Sequence, residues 1–161
     1  MTGILWAVLL EPLPVQPLYP EGSPHHITLQ YGVEREQWKD VIGSPMTAGA
    51  IELCHDDRIQ AIRVALPTWV QCQNPNPHIT VSWVPDAQPV ESNTMLNGPH
   101  HAEPLSIPIQ TMIEFLEWGK PAQRICTSCR VTPLGKNNRT GVCSKCQRNS
   151  QPNARYRKPR P

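Results

Sequence analysis

The stretches HHITLQYG (residues 25–32) and PHITVSWV (residues 77–84) repeat one pattern, His-Ile-Thr followed by residues that favour β-strands. In both, polar and apolar side chains alternate, as in a strand with one face in a core. Alternate residues of a strand project from the same face, so each stretch presents an imidazole beside a hydroxyl, with isoleucine on the opposite face. The pairs are His26 with Thr28 and His78 with Thr80.

These two pairs suit the hydrolysis of a phosphodiester if the strands lie side by side. A neutral imidazole accepts a proton from the attacking oxygen while a protonated one donates to the leaving oxygen, and a pKa near ~6.5 allows both states near neutral pH. The threonine hydroxyls would bind the non-bridging phosphate oxygens, and no catalytic metal is required. One His-x-Thr is also an ordinary strand feature, so the pattern alone leaves a paired site and a structural interpretation open.

The rest of the first 118 residues is predicted to be mainly β-structure. Proline-rich composition, 19 of 161 residues, argues against long helices. Further strands are predicted at residues 4–10, 46–54, 58–66 and 107–118. A short helix is expected over residues 34–43, and residues 84–104 are expected to be a loop with one helical turn.

Charge divides the chain into an acidic body and a basic C-terminal part. Residues 1–118 carry four basic and 13 acidic residues, whereas residues 119–161 carry eleven basic and no acidic ones. We therefore predict a catalytic domain over residues 1–118, a small module over residues 119–149 and a basic, disordered tail over residues 150–161. No apolar run reaches the 18 residues that a membrane-spanning helix needs, and ILWAVLL (residues 4–10) is interpreted as a strand rather than a signal peptide.

The stretch CTSCRVTPLGKNNRTGVCSKC (residues 126–146) contains two C-x-x-C pairs separated by 13 residues. Four thiolates in this spacing favour one structural Zn²⁺ in a zinc ribbon over a redox pair or disulfides. The predicted ligands are Cys126, Cys129, Cys143 and Cys146. Such a site fits a reducing, intracellular compartment, here the cytoplasm. The module's basic side chains are predicted to contact a nucleic-acid backbone, with docking to a protein as the alternative: Lys136, Arg139, Lys145 and Arg148.

The paired motifs resemble those of the two-histidine (2H) phosphoesterase superfamily. More narrowly, PHITVSWVPDAQPVESNTML (residues 77–96) is similar to the second motif of the cyclic phosphodiesterase domain of fungal and plant tRNA ligases, with four residues in matching places: Val90, Ser92, Asn93 and Leu96. The resemblance implies an α+β fold of bilobal, pseudo-symmetric antiparallel sheets with few short helices. It also implies His26 and His78 as the acid/base pair, and hydrolysis of a nucleoside 2′,3′-cyclic phosphate at an RNA end.

Two other functions remain open at this stage. One is degradation of cyclic oligonucleotide defence signals, as in phage members of the superfamily, and the other is a nucleic-acid-binding adaptor without catalysis. Three polar residues near the motifs are candidates for substrate binding, with a turn as the alternative for the last two: Ser82, Ser92 and Asn93. Other side chains are expected to be structural or solvated: His25 and His55 on the surface, His100 and His101 in a loop, and Tyr31, Trp83, Cys54 and Cys72 in packing.

Overall fold

The computed structural model describes residues 2–22 and 24–119, and this part of the chain contains six strands, one α-helix and one 3-10 turn. The strands are β1 (Thr2–Leu9), β2 (His26–Glu34), β3 (Pro45–His55), β4 (Ile59–Ala65), β5 (His78–Trp83) and β6 (His101–Glu117). The 3-10 turn is Arg35–Trp38 and the helix, α1, is Glu91–Asn97. None of the helices in this part of the chain is long and apolar enough to cross a membrane.

The strands form one antiparallel sheet in the order β2-β1-β6-β3-β4-β5. The 17-residue strand β6 joins its two halves, since it pairs with β3 from His101 to Met112 and with β1 from Thr111 to Glu117. The sheet curls into a nearly closed barrel, and its edge strands β2 and β5 approach each other. The antiparallel, strand-rich class is therefore confirmed, but the strands lie in one continuous sheet rather than in separate sheets of two lobes.

The main hydrophobic core contains the apolar face of both His-Ile-Thr strands. Ile27 and Ile79 are fully buried there, together with Leu5, Ile62 and Ile113. Each such side chain stabilises the fold by roughly 1.5–3 kcal/mol relative to an exposed position. Because Ile27 and Ile79 are held inward, the histidine and threonine on either side of each must point to the opposite face.

Three predicted elements differ from the structure. Residues 34–43 form only the four-residue 3-10 turn, because a segment this short gains few helical hydrogen bonds for the cost of nucleation; its Trp38, Val41 and Ile42 still pack against the main core. The expected loop over residues 84–104 instead contains the seven-residue helix α1, whose Met95 and Leu96 pack against Ile59 in a second, smaller cluster. Strand β6 begins six residues earlier than predicted, because its first half pairs with β3.

The early start of β6 changes the interpretation of His101, which faces His55 on β3. His55 and His101 are paired across β3 and β6, and their rings stack with centroids 5.0 Å apart. The expectation that His101 lies in a loop is therefore wrong.

Candidate active site

A cavity of about 800 Å³ lies between β2, β5, the loop before β5 and α1. We call it the histidine cavity. The structure brings the four residues of the repeated pattern together in its lining: His26, Thr28, His78 and Thr80. Each histidine is the first residue of its edge strand, so the two motifs enter the cavity in equivalent positions.

The loop over residues 71–77 holds the two motifs near each other. Gln73 N–H donates to the Leu29 carbonyl over 2.8 Å, and the Gln30 side-chain amide donates to the Gln71 carbonyl over 3.1 Å. These bonds attach the loop to β2 immediately before the chain enters β5. The edges of the curled sheet are thereby linked beside the cavity.

His78 has a partner at each ring nitrogen. Its Nδ1 lies 2.7 Å from the Asn76 carbonyl oxygen, which can only accept, so Nδ1 carries a proton. Its Nε2 lies 2.8 Å from Ser92 Oγ. Burial lowers the pKa of His78, and the bond to Asn76 partly offsets this effect. Because Nδ1 is already protonated, Nε2 is the nitrogen that exchanges protons with the cavity.

Ser92 extends the contacts of His78 and is itself only 1% exposed. Its Oγ also lies 2.8 Å from the Pro89 carbonyl oxygen and 3.0 Å from Thr80 Oγ1. A hydroxyl has one proton, so Ser92 donates either to neutral Nε2 or to Pro89 while it accepts from protonated Nε2. The hydroxyl can therefore satisfy His78 in both charge states. Ser92, expected to contact substrate, lines the cavity and also contacts a motif histidine.

Side-chain amides connect the loop to α1. Asn74 Nδ2 donates to Asn93 Oδ1 over 2.6 Å, and Asn76 Nδ2 donates to Asn97 Oδ1 over 2.8 Å. Asn93 and Asn97 are four residues apart and hence on the same face of the helix. Asn93 also lines the cavity. The two amide pairs hold the loop against α1 and thereby orient Ser92 and the Asn76 carbonyl that binds His78. In the sequence, the four-residue spacing of Asn93 and Asn97 is the feature that indicates a polar helix face for this contact.

His26 is surrounded by rings. Its centroid lies 4.6 Å from that of Trp6, and its Nδ1 lies 3.1 Å from His25 Nε2. Burial, followed by the charges of His25 and His78, lowers the pKa of His26 to about 4. His26 is therefore neutral at pH 7 in the free protein, which is the state a general base requires.

His25 is exposed, as expected, but it also lines the histidine cavity. Strand alternation does not apply to it, since β2 begins one residue later. Its carbonyl accepts a hydrogen bond of 2.8 Å from Leu9 N–H, which fixes the backbone where the chain enters the strand. Its ring then turns towards His26, with centroids 4.3 Å apart.

Tyr31 and Trp83 also line the cavity, although both were expected in the core. The pairing of β1 with β2 shifts register twice, and Ile4, another cavity residue, faces Tyr31. After such a bulge, the side chains that follow project from the opposite face of the sheet, and Tyr31 is 61% exposed. Its ring lies 5.4 Å from that of Trp118, which is 49% exposed. Trp83 is half-buried and packs against the second cluster.

Ser82 is not part of the cavity, so its expected contact with substrate is wrong. It is fully buried, and its Oγ donates to Gln60 Oε1 over 2.7 Å. Ser82 Oγ also accepts hydrogen bonds of 3.2 Å from the backbone N–H groups of Leu18 and Tyr19. The proline-rich segment after β1 covers this end of β5, so Ser82 anchors that segment instead.

Among the described residues that line the histidine cavity there is no Asp, Glu, Lys or Arg. Within these residues a bound anion would meet hydroxyls, amides and imidazoles, and the positive charge that they can supply is that of protonated histidine. Elsewhere in the described part of the chain, no group of three or more His, Cys, Asp or Glu side chains is arranged to hold a metal ion. The four predicted zinc ligands and the four basic residues of the C-terminal module lie outside the described residues.

Comparison with known families agrees with this site. Residues 34–112, just under half of the chain, match the family model described as the fungal tRNA ligase phosphodiesterase domain. The matched segment includes the second His-x-Thr motif and Ser92, and it begins after the first motif. The match supports the resemblance to 2H phosphoesterases and a cyclic phosphodiesterase function in general. No curated protein matches the chain.

Proposed function

We propose that this protein is a metal-independent phosphodiesterase that opens nucleoside 2′,3′-cyclic phosphates at RNA ends by two-histidine acid/base catalysis. The observation that carries the proposal is that His26 and His78 line one cavity together with Thr28 and Thr80. The family match over residues 34–112 supports phosphodiesterase chemistry in general. The choice of an RNA end as substrate rests on the charge of the cavity lining and on its aromatic residues.

The two histidines are assigned different roles because their surroundings differ. His26, with a pKa of about 4, accepts a proton from water as the water oxygen forms a bond to phosphorus. His78 donates from Nε2 to the ribose oxygen as its bond to phosphorus breaks. The phosphate anion of the substrate favours the protonated form of His78, opposing the effect of burial. Proton exchange with solvent then restores both rings.

The neutral lining of the cavity favours a diester over its product. A cyclic phosphate carries one negative charge, whereas the phosphate monoester formed by hydrolysis carries nearly two at pH 7. The hydroxyls of Thr28 and Thr80 can bind the non-bridging oxygens, but no lysine or arginine among the lining residues stabilises a dianion. Since burying charge without a counter-charge is costly, product release is favoured after the reaction.

Exposed aromatic rings support a nucleotide as substrate. Tyr31 lines the cavity, and its ring contacts that of Trp118 at the surface. Base stacking on an aromatic side chain contributes about 1–3 kcal/mol and does not depend strongly on base identity. We therefore assign Tyr31 to the nucleoside next to the phosphate.

Turnover of defined substrates tests the proposal. The full chain is incubated in EDTA with an oligonucleotide that ends in a 2′,3′-cyclic phosphate, and the release of a monoester is followed by electrophoresis and ³¹P NMR. We expect opening, with at least about a 100-fold loss in His26→Ala and in His78→Ala. His101→Ala is the control, since His101 stacks on His55 and is not among the cavity residues. A folded protein that leaves the ends unchanged, or that opens only cyclic di- or trinucleotides, contradicts the proposed substrate.

The C-terminal module is proposed to bind one structural Zn²⁺ and to contact the RNA backbone. Four cysteines in two C-x-x-C pairs supply the thiolates, and eleven basic residues without an acidic one supply the positive charge. A reducing cytoplasm is the compartment that such thiolates require. Elemental analysis should find one zinc per chain and none in Cys126→Ser, and oligonucleotide affinity should fall steeply with salt. A chain without zinc, or with salt-independent binding, would contradict this part.

A further inference from the structure

The two motif histidines are held at Nδ1 by different kinds of partner. For His78 the partner is the Asn76 carbonyl oxygen, which neither gains nor loses a proton near neutral pH. For His26 it is the imidazole of His25, with Nδ1 of His26 lying 3.1 Å from Nε2 and 3.4 Å from Nδ1 of His25. An imidazole pair at this distance requires one nitrogen to donate and the other to accept.

Packing defines the arrangement of this imidazole pair. Trp6, on the neighbouring strand β1, contacts both rings: its centroid is 5.5 Å from His25 and 4.6 Å from His26. The backbone of His25 is held by Leu9 N–H at its carbonyl. Contacts from β1 to both the ring and the backbone of His25 therefore set its position relative to His26.

We propose that His25 is a positioning residue that accepts the Nδ1 proton of His26 and thereby leaves Nε2 of His26 unprotonated towards the cavity. If His25 donated at this contact instead, neutral His26 would carry its proton on Nε2 and could not act as a base. The catalytic meaning of this tautomer rests on the proposed function, whereas the tautomer itself does not.

Few charged groups surround His26. The titratable groups whose charges lower the pKa of His26 are His25 and, from β5, His78. From β1 the contact is Trp6, which carries no charge. The cavity lining has no Asp, Glu, Lys or Arg among the described residues, and its remaining titratable side chain is the Tyr31 phenol. Among these lining residues, no carboxylate competes with His25 as the acceptor for Nδ1 of His26.

The tautomer is tested directly by long-range ¹H–¹⁵N NMR of the imidazoles in the full chain. We expect His26 to carry its neutral-state proton on Nδ1 in the wild type and in His25→Asn, whose amide oxygen accepts but does not titrate. In His25→Ala we expect a mixture of the two tautomers. His101→Ala is the control and should show the wild-type pattern. A His26 tautomer that is unchanged in His25→Ala overturns the proposal, whether or not the protein turns over any substrate.

Kinetics provide the second measurement. We expect kcat in His25→Ala to fall roughly ten-fold, as is typical when the partner that orients a functional imidazole is removed. His25→Asn should recover activity relative to His25→Ala. Equal rates in all three proteins would overturn the role of His25. Absence of turnover in the wild type would instead refute the proposed function, with the NMR result still deciding the tautomer.

Discussion

Acid should destabilise this fold through His26, and the size of the effect follows from its surroundings. Burial and neighbouring imidazoles lower the pKa of His26 from 6.5 to about 4. Between these values the unfolded chain binds a proton that the folded chain does not, so stability falls as pH decreases from 6.5 towards 4. The full difference corresponds to roughly 3.4 kcal/mol, of which about 2.6 kcal/mol should be lost by pH 4.5.

The assay compares the wild type with His26→Gln, whose side chain does not titrate. Free energies of unfolding are measured by urea denaturation at pH 7.5 and pH 4.5, with tryptophan fluorescence as the readout. The other titrating groups are present in both proteins, so their contributions cancel in the difference except for the smaller coupling of His25 and His78 to His26. The wild type should lose about 2.6 kcal/mol more than His26→Gln on acidification.

A bound ligand makes the result specific. A bound nucleoside phosphate should raise the pKa of His26, so the excess loss should shrink in its presence. If the wild type and His26→Gln lose the same stability within about 0.5 kcal/mol, His26 is not held neutral by the fold and its assignment as the base is refuted.

Three further perturbations test the cavity and the segment that covers Ser82. Ser92→Ala removes the partner of His78 Nε2, so kcat should fall roughly ten-fold and the free energy of unfolding by about 1–3 kcal/mol. Turnover and urea denaturation measure the two effects, and an unchanged kcat would show that Ser92 does not assist His78 in the reaction. Tyr31→Ala should raise KM for the cyclic-phosphate oligonucleotide by about 5-fold or more with little change in kcat, and an unchanged KM would contradict base stacking. Gly22→Ala should cost about 2 kcal/mol or more, because φ is +134° and a Cβ would lie 2.4 Å from the Val81 carbonyl oxygen. In Gly43→Ala, where φ is +88° and nothing lies within 4 Å, thermal denaturation should show a smaller loss, and equal losses would refute the clash.

The repeated His-Ile-Thr pattern was the most informative part of the sequence. Its period of two predicted both strands, and burial of Ile27 and Ile79 agrees with the inferred facing. The pattern alone left open whether the two strands lie side by side, and the structure brings both histidines to one cavity. Local alternation is reliable here because each strand has a large apolar face that cannot be turned to solvent without losing several kcal/mol.

The surroundings of the histidines could not be derived from that pattern. Tyr31 faces the cavity because the pairing of β1 and β2 shifts register, which depends on both strands. His25 lies at the strand entrance, where alternation has not begun. Ser82 has the right phase but is covered by a segment more than 60 residues earlier in the chain. Each difference arises from contacts between distant residues, and a single sequence contains no direct signal for them.

The two-histidine site is open to test by a structure of the full chain with a nucleoside 2′-phosphate bound. We expect the phosphate to lie between the motifs, with one ring nitrogen of His26 and Nε2 of His78 each about 3 Å from a phosphate oxygen, and with the hydroxyls of Thr28 and Thr80 on the non-bridging oxygens. A phosphate contacted by only one of the two imidazoles, or bound outside the histidine cavity, would contradict this expectation.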